Sequence, residues 1–275
     1  PAGEQIAYLK AGKNGIKIPN ERDISNILKT NQEKSSLLIR AIENDEIYPY
    51  FQPIKPASAS NKLVIHELLM RIHQDGKIVS AYEFIEIAEA RGLINSMDLM
   101  VIEKAFKEIQ RTQYEGILFI NLSPKSLIVG DFINKINAFV LKYEINKEKI
   151  VFEITERETV KNFSLLEKFV HNLKSDGYKF AIDDFGSGFS SFHYIKKFPI
   201  DYVKIDGDFI ININKDIKDK AFVNSIVTLA KELKIQTIAE FVENEEIVDI
   251  LNELEIDYYQ GFHIGKPSEK FISFK

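Results

Sequence analysis

An α/β barrel of eight strands, modified by one reversed strand, is the fold this sequence predicts. Three observations lead there. Eight short apolar, β-branched runs recur along the chain, and helical apolar spacings lie between most of them. Strands alternating with helices imply βα units on a parallel sheet, and eight of them in 275 residues suit a closed (β/α)8 barrel. The third observation is an exception. The first two runs are joined by seven residues, "KPASASN" at 55–61. A parallel crossover needs about a dozen, so these two strands are expected to be antiparallel neighbours. An open doubly wound sheet is the alternative the pattern leaves.

The elements follow in order. Residues 1–19, "PAGEQIAYLKAGKNGIKIP", read as the tail of an upstream domain. Residues 20–46 carry a helical spacing (Ile24, Ile27, Leu28, then Leu37, Leu38, Ala41, Ile42) and read as a linker helix. The barrel is expected from 47 to 275. Its strands are read at 48–54, 62–69, 117–122, 150–156, 179–185, 202–206, 235–240 and 258–264. Its helices are read at 80–91, 95–113, 131–143, 163–176, 215–233 and 244–254.

Composition bounds the chemistry. The chain has no cysteine, which excludes thiolate metal sites, disulfides and cysteine nucleophiles. That favours a reducing setting, and a cytoplasmic location is expected. A net charge of -5 gives no reason to expect a DNA or RNA duplex as partner. No apolar run approaches the roughly 20 residues of a membrane span, so no membrane contact is expected from this piece. The chain starts at Pro1 and reads as part of a longer protein, whose missing N-terminal portion could carry an anchor.

Strands buried on both faces are nearly all apolar, yet several here carry a polar residue near the C-terminal end: Glu67, Asn121, Glu153 with Glu156, Asp183 with Asp184, Lys204 with Asp206, Glu240 with Glu243, and Gln260. Any one of these acids alone reads as a helix cap or an ion-pair partner. As a set they do not, because parallel strand ends in a barrel converge on one rim, where catalytic groups sit. Carboxylates that close cannot all stay ionised without cations. Oxygen donors without His or Cys point to Mg²⁺ or Mn²⁺. Six rim positions from six strands would bring five carboxylates and an amide together, more than one ion needs, so two ions are expected, an arrangement used in phosphoryl chemistry. Successive side chains point differently, so Asp183 can bridge both ions while Asp184 reaches one. The five histidines have no ligand spacing, and "GSG" at 186–188 lacks the Gly-Lys-Ser/Thr of a P-loop. Those glycines instead allow a tight rim loop.

Seven motifs in order resemble the EAL-domain family of cyclic di-GMP phosphodiesterases: "ELLMR" at 67–71, "NLS" at 121–123, "FEITE" at 152–156, "DDFGSGFSS" at 183–191, "VKID" at 203–206, "AEFVE" at 239–243 and "QGFHIGKP" at 260–267. The resemblance covers about residues 46 to 270 and implies a barrel with a reversed strand. It further implies that Glu67, Asn121, Glu153 and Asp183 ligate one cation, and Asp183, Asp184 and Glu240 a second. A water between the two would attack phosphorus in line and yield linear pGpG, with Lys204 orienting that water or stabilising phosphoryl charge. Gln260 would hold a water on one cation, Glu156 would tether the 184–191 loop, and Gln52 and Arg71 would contact substrate. The signature departs at Leu68, where the family has Ala, and at Phe241, where it often has Gly; Phe241 could stack on a guanine or narrow the pocket. The front stretch "AYLKAGKNGIKI" resembles the end of a GGDEF domain. Family members often pair through barrel helices, so a homodimer is compatible with the resemblance. The alternatives are a non-hydrolysing cyclic di-GMP receptor and a phosphoesterase acting on another nucleotide. Ca²⁺, larger and looser in coordination than Mg²⁺, is expected to inhibit.

Overall fold

The structure, a computed structural model, describes residues 21–74, 76–123, 126, 131–161, 163–187 and 197–273. The segment read as an upstream tail, residues 1–19, and residues 188–191 of the rim loop lie outside the described residues.

Helix α1 (Glu21–Glu43) leads into β1 (Ile47–Pro56), β2 (Ile65–Gln74) and a short β3 (Lys77–Ser80). Helices α2 (Ile85–Ala90) and α3 (Ile94–Thr112) precede β4 (Ile117–Asn121), and α4 (Phe132–Lys142) precedes β5 (Ile150–Thr155). Then come α5 (Glu156–Lys161), α6 (Phe163–Ser175), β6 (Lys179–Phe185), β7 (Tyr202–Ile205), α7 (Gly207–Ile210), α8 (Ile217–Glu232), β8 (Gln236–Ala239), α9 (Glu245–Glu253) and β9 (Tyr258–Gln260).

The sheet order is β1-β9-β8-β7-β6-β5-β4-β2-β3, and β1 also pairs with β2. Eight strands therefore close into a barrel, and β3 hangs on β2 as a ninth strand outside the ring. β1 runs antiparallel to both neighbours, with Gln52 opposite Glu67 and Ile54 opposite Gln260. The reversal expected from the seven-residue joint is present. The sequence reading did not include β3, α5 or α7, which have four, six and four residues. Elements of that length carry too few turns or alternations to establish a period. The last strand stops at Gln260, because Gly261 to Gly265 turns on itself through bonds from Ile264 N–H and Gly265 N–H to the Gly261 carbonyl.

Local chemistry explains many of the joints. Asp216 and Asn244 cap α8 and α9, accepting from Lys218 N–H at 2.8 Å and Ile247 N–H at 3.0 Å. Left-handed residues close the C-terminal ends of α3, α4, α8 and α9, at Gln113, Glu144, Lys234 and Glu255 (φ 53°, 55°, 59° and 59°). Each turns the chain abruptly into the next strand. In α1, Leu38 and Ala41 are fully buried in the main core, so the end of this helix is part of the barrel body.

Two periodicities organise the strands. Outward residues such as Ile120, Phe152, Ile182, Ile205 and Ala239 join the helices in one continuous core. Inward residues form a separate cluster: Ile54, Ile65, Ile117, Phe119, Val151, Ala181, Tyr202, Ile238 and Tyr258, at least one from each barrel strand. This cluster is the floor of the barrel interior.

Candidate active site

On each barrel strand, the residue two positions from the floor residue nearest the rim, on the rim side, is polar. Ile65 is followed by Glu67, Phe119 by Asn121, Val151 by Glu153, Ala181 by Asp183, Tyr202 by Lys204, Ile238 by Glu240 and Tyr258 by Gln260. On reversed β1 the order inverts, and Gln52 precedes Ile54. A spacing of two keeps side chains on one face of a strand, so the polar set forms a second interior layer above the floor.

Lys204 is the centre of that layer, with a side chain only 1 % exposed. Its Nζ lies 3.0 Å from Asp183 Oδ1, 3.0 Å from Glu240 Oε1, 3.3 Å from Glu67 Oε2 and 3.3 Å from Glu153 Oε2. An ammonium has three N–H donors, so it cannot satisfy four carboxylates at once. Burial disfavours the Lys204 charge, but the four acids outweigh it and hold the ammonium well above its ordinary range. The acids divide. Burial pushes Glu67 up, yet the Lys204 charge and hydrogen bonds from Gln260 Nε2 (2.5 Å) and Asn121 Nδ2 (2.8 Å) hold it below the usual range. Glu153 and Glu240 rise well above theirs, through burial first and then repulsion from the neighbouring carboxylates, which together exceed the pull of Lys204. Asp184 is pushed up to about 6 by burial and by Asp183 and Asp206.

The paired aspartates reach the same space by a backbone irregularity. The β6–β7 register shifts between Ile182 and Phe185, and Asp184 takes a left-handed φ of 53°. Aspartate tolerates that region better than most residues, and the bulge re-aims a side chain that strict alternation would send outward. As a result Asp183, Asp184 and Glu240 each offer an oxygen within 4.8 Å of the others.

This donor set fits a hard divalent cation. Both Glu153 oxygens and Asp183 Oδ1 are buried without a hydrogen bond, although Lys204 lies 3.3 Å and 3.0 Å away. Buried acceptors left in that state are costly, and carboxylate oxygens are what Mg²⁺ and Mn²⁺ take.

The other expected residues surround this layer. Glu156 is fully buried, and its Oε2 accepts from Gly186 N–H at 2.7 Å. Gly186 has φ 105°, and a Cβ there would meet Phe209 and Phe222 at 2.8 and 2.9 Å, so glycine alone fits the start of the rim loop. Gln52 faces Glu67 across β1 and β2 and donates to the Gly265 carbonyl at 3.3 Å. Arg71 is half-buried above Glu67 on the same strand face, bonded to the Met70 carbonyl at 2.8 Å, its guanidinium 5.7 Å from the Tyr50 ring. Asp206 caps α7, accepting from Asp208 N–H at 2.8 Å. Glu243 is exposed beyond the rim. Two features had no clear signal in the sequence: the tie from Ser126 Oγ to buried Asp98 at 3.1 Å and the packing of Phe241 over Gly207. Both join residues distant in sequence whose types are common in any fold.

Comparison with known proteins agrees with this geometry. The EAL domain family model matches residues 37–267, and the chain belongs to the EAL-domain family. It is 38% identical over 267 residues to the cyclic di-GMP phosphodiesterase PdeB of Shewanella oneidensis, covering 95% of this chain and 31% of PdeB. It is 38% identical to the cyclic di-GMP phosphodiesterase PdeA of Borreliella burgdorferi, covering 88% of this chain and 36% of that protein. The chain thus spans about a third of the length of these relatives. Among solved structures, the cAMP- and cyclic-di-GMP-bound form of the EAL enzyme Bd1971 superposes with a TM-score of 0.80 at 29% identity, over 88% of this chain and 67% of that one. The cyclic di-GMP complex of the phosphodiesterase PaMucR gives 0.79 at 26% identity, over 86% and 97%. No helix among the described residues is long and apolar enough to cross a membrane.

Proposed function

We propose that this chain hydrolyses cyclic di-GMP to linear pGpG with the help of two divalent cations, Mg²⁺ or Mn²⁺. The observation that carries the proposal is the rim cluster: the carboxylates of Glu67, Glu153, Asp183 and Glu240 around the Lys204 ammonium, with Asp184 beside Asp183 and Glu240. Membership of the EAL family and the activity named for its 38%-identical relatives support the substrate.

In this reading Glu67, Asn121, Glu153 and Asp183 would hold one cation, and Asp183, Asp184 and Glu240 the other. When bound, the cations would supply Lewis acidity, making water a nucleophile near neutral pH and neutralising phosphoryl charge. Water adds to phosphorus, the bond to one ribose O3′ breaks, and that oxygen leaves with a proton. Lys204 stays protonated and opposes the charge that grows on the phosphoryl oxygens. Asn121 and Gln260 fix the Glu67 carboxylate through their amide hydrogens. Gln52 lies in that layer opposite Glu67, and Arg71 lies above it, where a guanidinium can grip phosphate or a guanine edge by two bonds. Glu156 holds Gly186 and so sets the start of the rim loop. In this reading residues 47–275 would be the catalytic unit, and 20–46 the linker helix whose end packs into the barrel core.

Incubation of the chain with cyclic di-GMP and Mg²⁺ or Mn²⁺, followed by chromatography, tests this. Formation of pGpG is expected. Tight binding without product under either metal contradicts the hydrolytic reading and makes the chain a receptor.

A further inference from the structure

Phe241 follows Glu240 directly and stands at the rim with 55 % of its surface exposed. Its φ is 52°, a left-handed conformation that a bulky residue rarely adopts. Such strain persists only where the surroundings over-determine it. Here the backbone is clamped on both sides. Glu240 N–H bonds to the Ile205 carbonyl at 3.3 Å, Val242 N–H to Gln260 O at 2.9 Å, and His263 N–H to Val242 O at 3.1 Å. The ring packs closely against Gly207, where a Cβ would fall 2.2 Å from Phe241 Cδ2 and 2.6 Å from its Cγ. Gly207 itself opens α7 directly behind Asp206.

These features do little for the fold. A ring more than half exposed buries little apolar surface, and glycine at 241 would take the same φ without strain. The arrangement holds an aromatic ring against Gly207 beside the ligand cluster and leaves more than half of its surface open. Base–aromatic stacking is how proteins hold an unpaired nucleobase, and a rigid ring loses little freedom on contact.

We infer that Phe241 is a stacking platform for one guanine base of cyclic di-GMP, held in place by the Gly207 cradle and the clamped 240–242 backbone. The inference rests on the proposed phosphodiesterase reading and adds to it a specificity-determining residue.

The test compares wild type with Phe241→Gly, Phe241→Leu and Phe241→Tyr, on cyclic di-GMP and on methyl p-nitrophenyl phosphate, a phosphodiester without a base. KM for cyclic di-GMP is expected to rise at least about fivefold in the glycine and leucine variants, the loss of one stacked base. The loss falls on KM more than on kcat, and it exceeds the loss on the base-free substrate. Phe241→Tyr keeps the wild-type KM, and Phe241→Gly melts no lower than wild type. A wild-type KM in both the glycine and leucine variants, or equal losses on the two substrates, overturns the platform. If wild type forms no pGpG, the phosphodiesterase reading fails and the platform is judged by calorimetry. Weaker binding of cyclic di-GMP to Phe241→Gly supports it; equal affinity, or no binding by either protein, overturns it.

Discussion

The floor and the rim of the barrel interior are built by the same strands, on the same face, two residues apart. The floor is apolar and closed, with Ile65, Phe119, Val151, Tyr202 and Ile238 no more than 1 % exposed. The rim has similarly buried positions, but fills them with Glu67, Glu153, Asp183, Lys204 and Glu240. Burial stabilises the fold at the floor and opposes it at the rim, where Glu153 and Glu240 are both driven up by desolvation and mutual repulsion. The difference separates what holds the barrel together from what the barrel holds in place.

Substitutions can break that contrast from either side. The largest effect is expected from Glu153→Gln. Turnover of cyclic di-GMP should fall by about three orders of magnitude or more, as expected when a metal site loses an anionic ligand. The cation-free protein should meanwhile melt higher, because a repelled carboxylate has been neutralised. Phe119→Ala should do the reverse at the floor, with stability falling by about 3–5 kcal/mol. A Glu153→Gln protein that keeps wild-type turnover would contradict the separation. Lys204→Met should come next: it strands four buried acids, so the cation-free protein should lose about 3–5 kcal/mol by denaturant unfolding, and added Mg²⁺ should recover more stability than in wild type.

The pH response is smaller and has a defined sign. A carboxylate whose pKa is raised on folding stabilises the fold below its unfolded value, and that contribution is lost as pH rises through the folded value. Asp184 therefore weakens the cation-free protein between about pH 4 and about 6, and Glu153 and Glu240 extend the loss upward. Cations should reverse it, so the Mg²⁺-dependent gain in Tm should grow from pH 5 to pH 7.5. Asp98, raised to about 8 by burial, adds a slope of the same sign that Mg²⁺ leaves alone and Asp98→Asn removes. A gain in Tm independent of pH would show that protons and cations do not compete at the rim. The smallest effect is expected for Glu156→Gln, which keeps an acceptor for Gly186 N–H but removes its charge. Turnover should fall by about tenfold, and Ca²⁺ in place of Mg²⁺ should inhibit both proteins.

Much of this contrast is legible in the sequence. The polar residues interrupt apolar runs, and the order in which they do so marks the converging strand ends. The seven-residue "KPASASN" joint is enough to require the reversal of β1. What stays hidden depends on φ and on distant pairing. Strict alternation gives no reason for Asp183 and Asp184 to share one space; the bulge and the left-handed Asp184 supply it. The central place of Lys204 among four acids is likewise a property of closure, since those acids come from β2, β5 and β6 and from just beyond β8. Hairpin strand β3, with four residues, has too little pattern to read.

The most direct test is a calorimetric titration of Mn²⁺ into the cation-free chain at pH 7.5, run in parallel with Asp183→Asn. Two ions per chain are expected in wild type, with protons released on binding, and weakened binding of both in the variant, because Asp183 is proposed to ligate both. Two ions bound with wild-type affinity in Asp183→Asn, or no binding to wild type at millimolar Mn²⁺, would contradict this expectation.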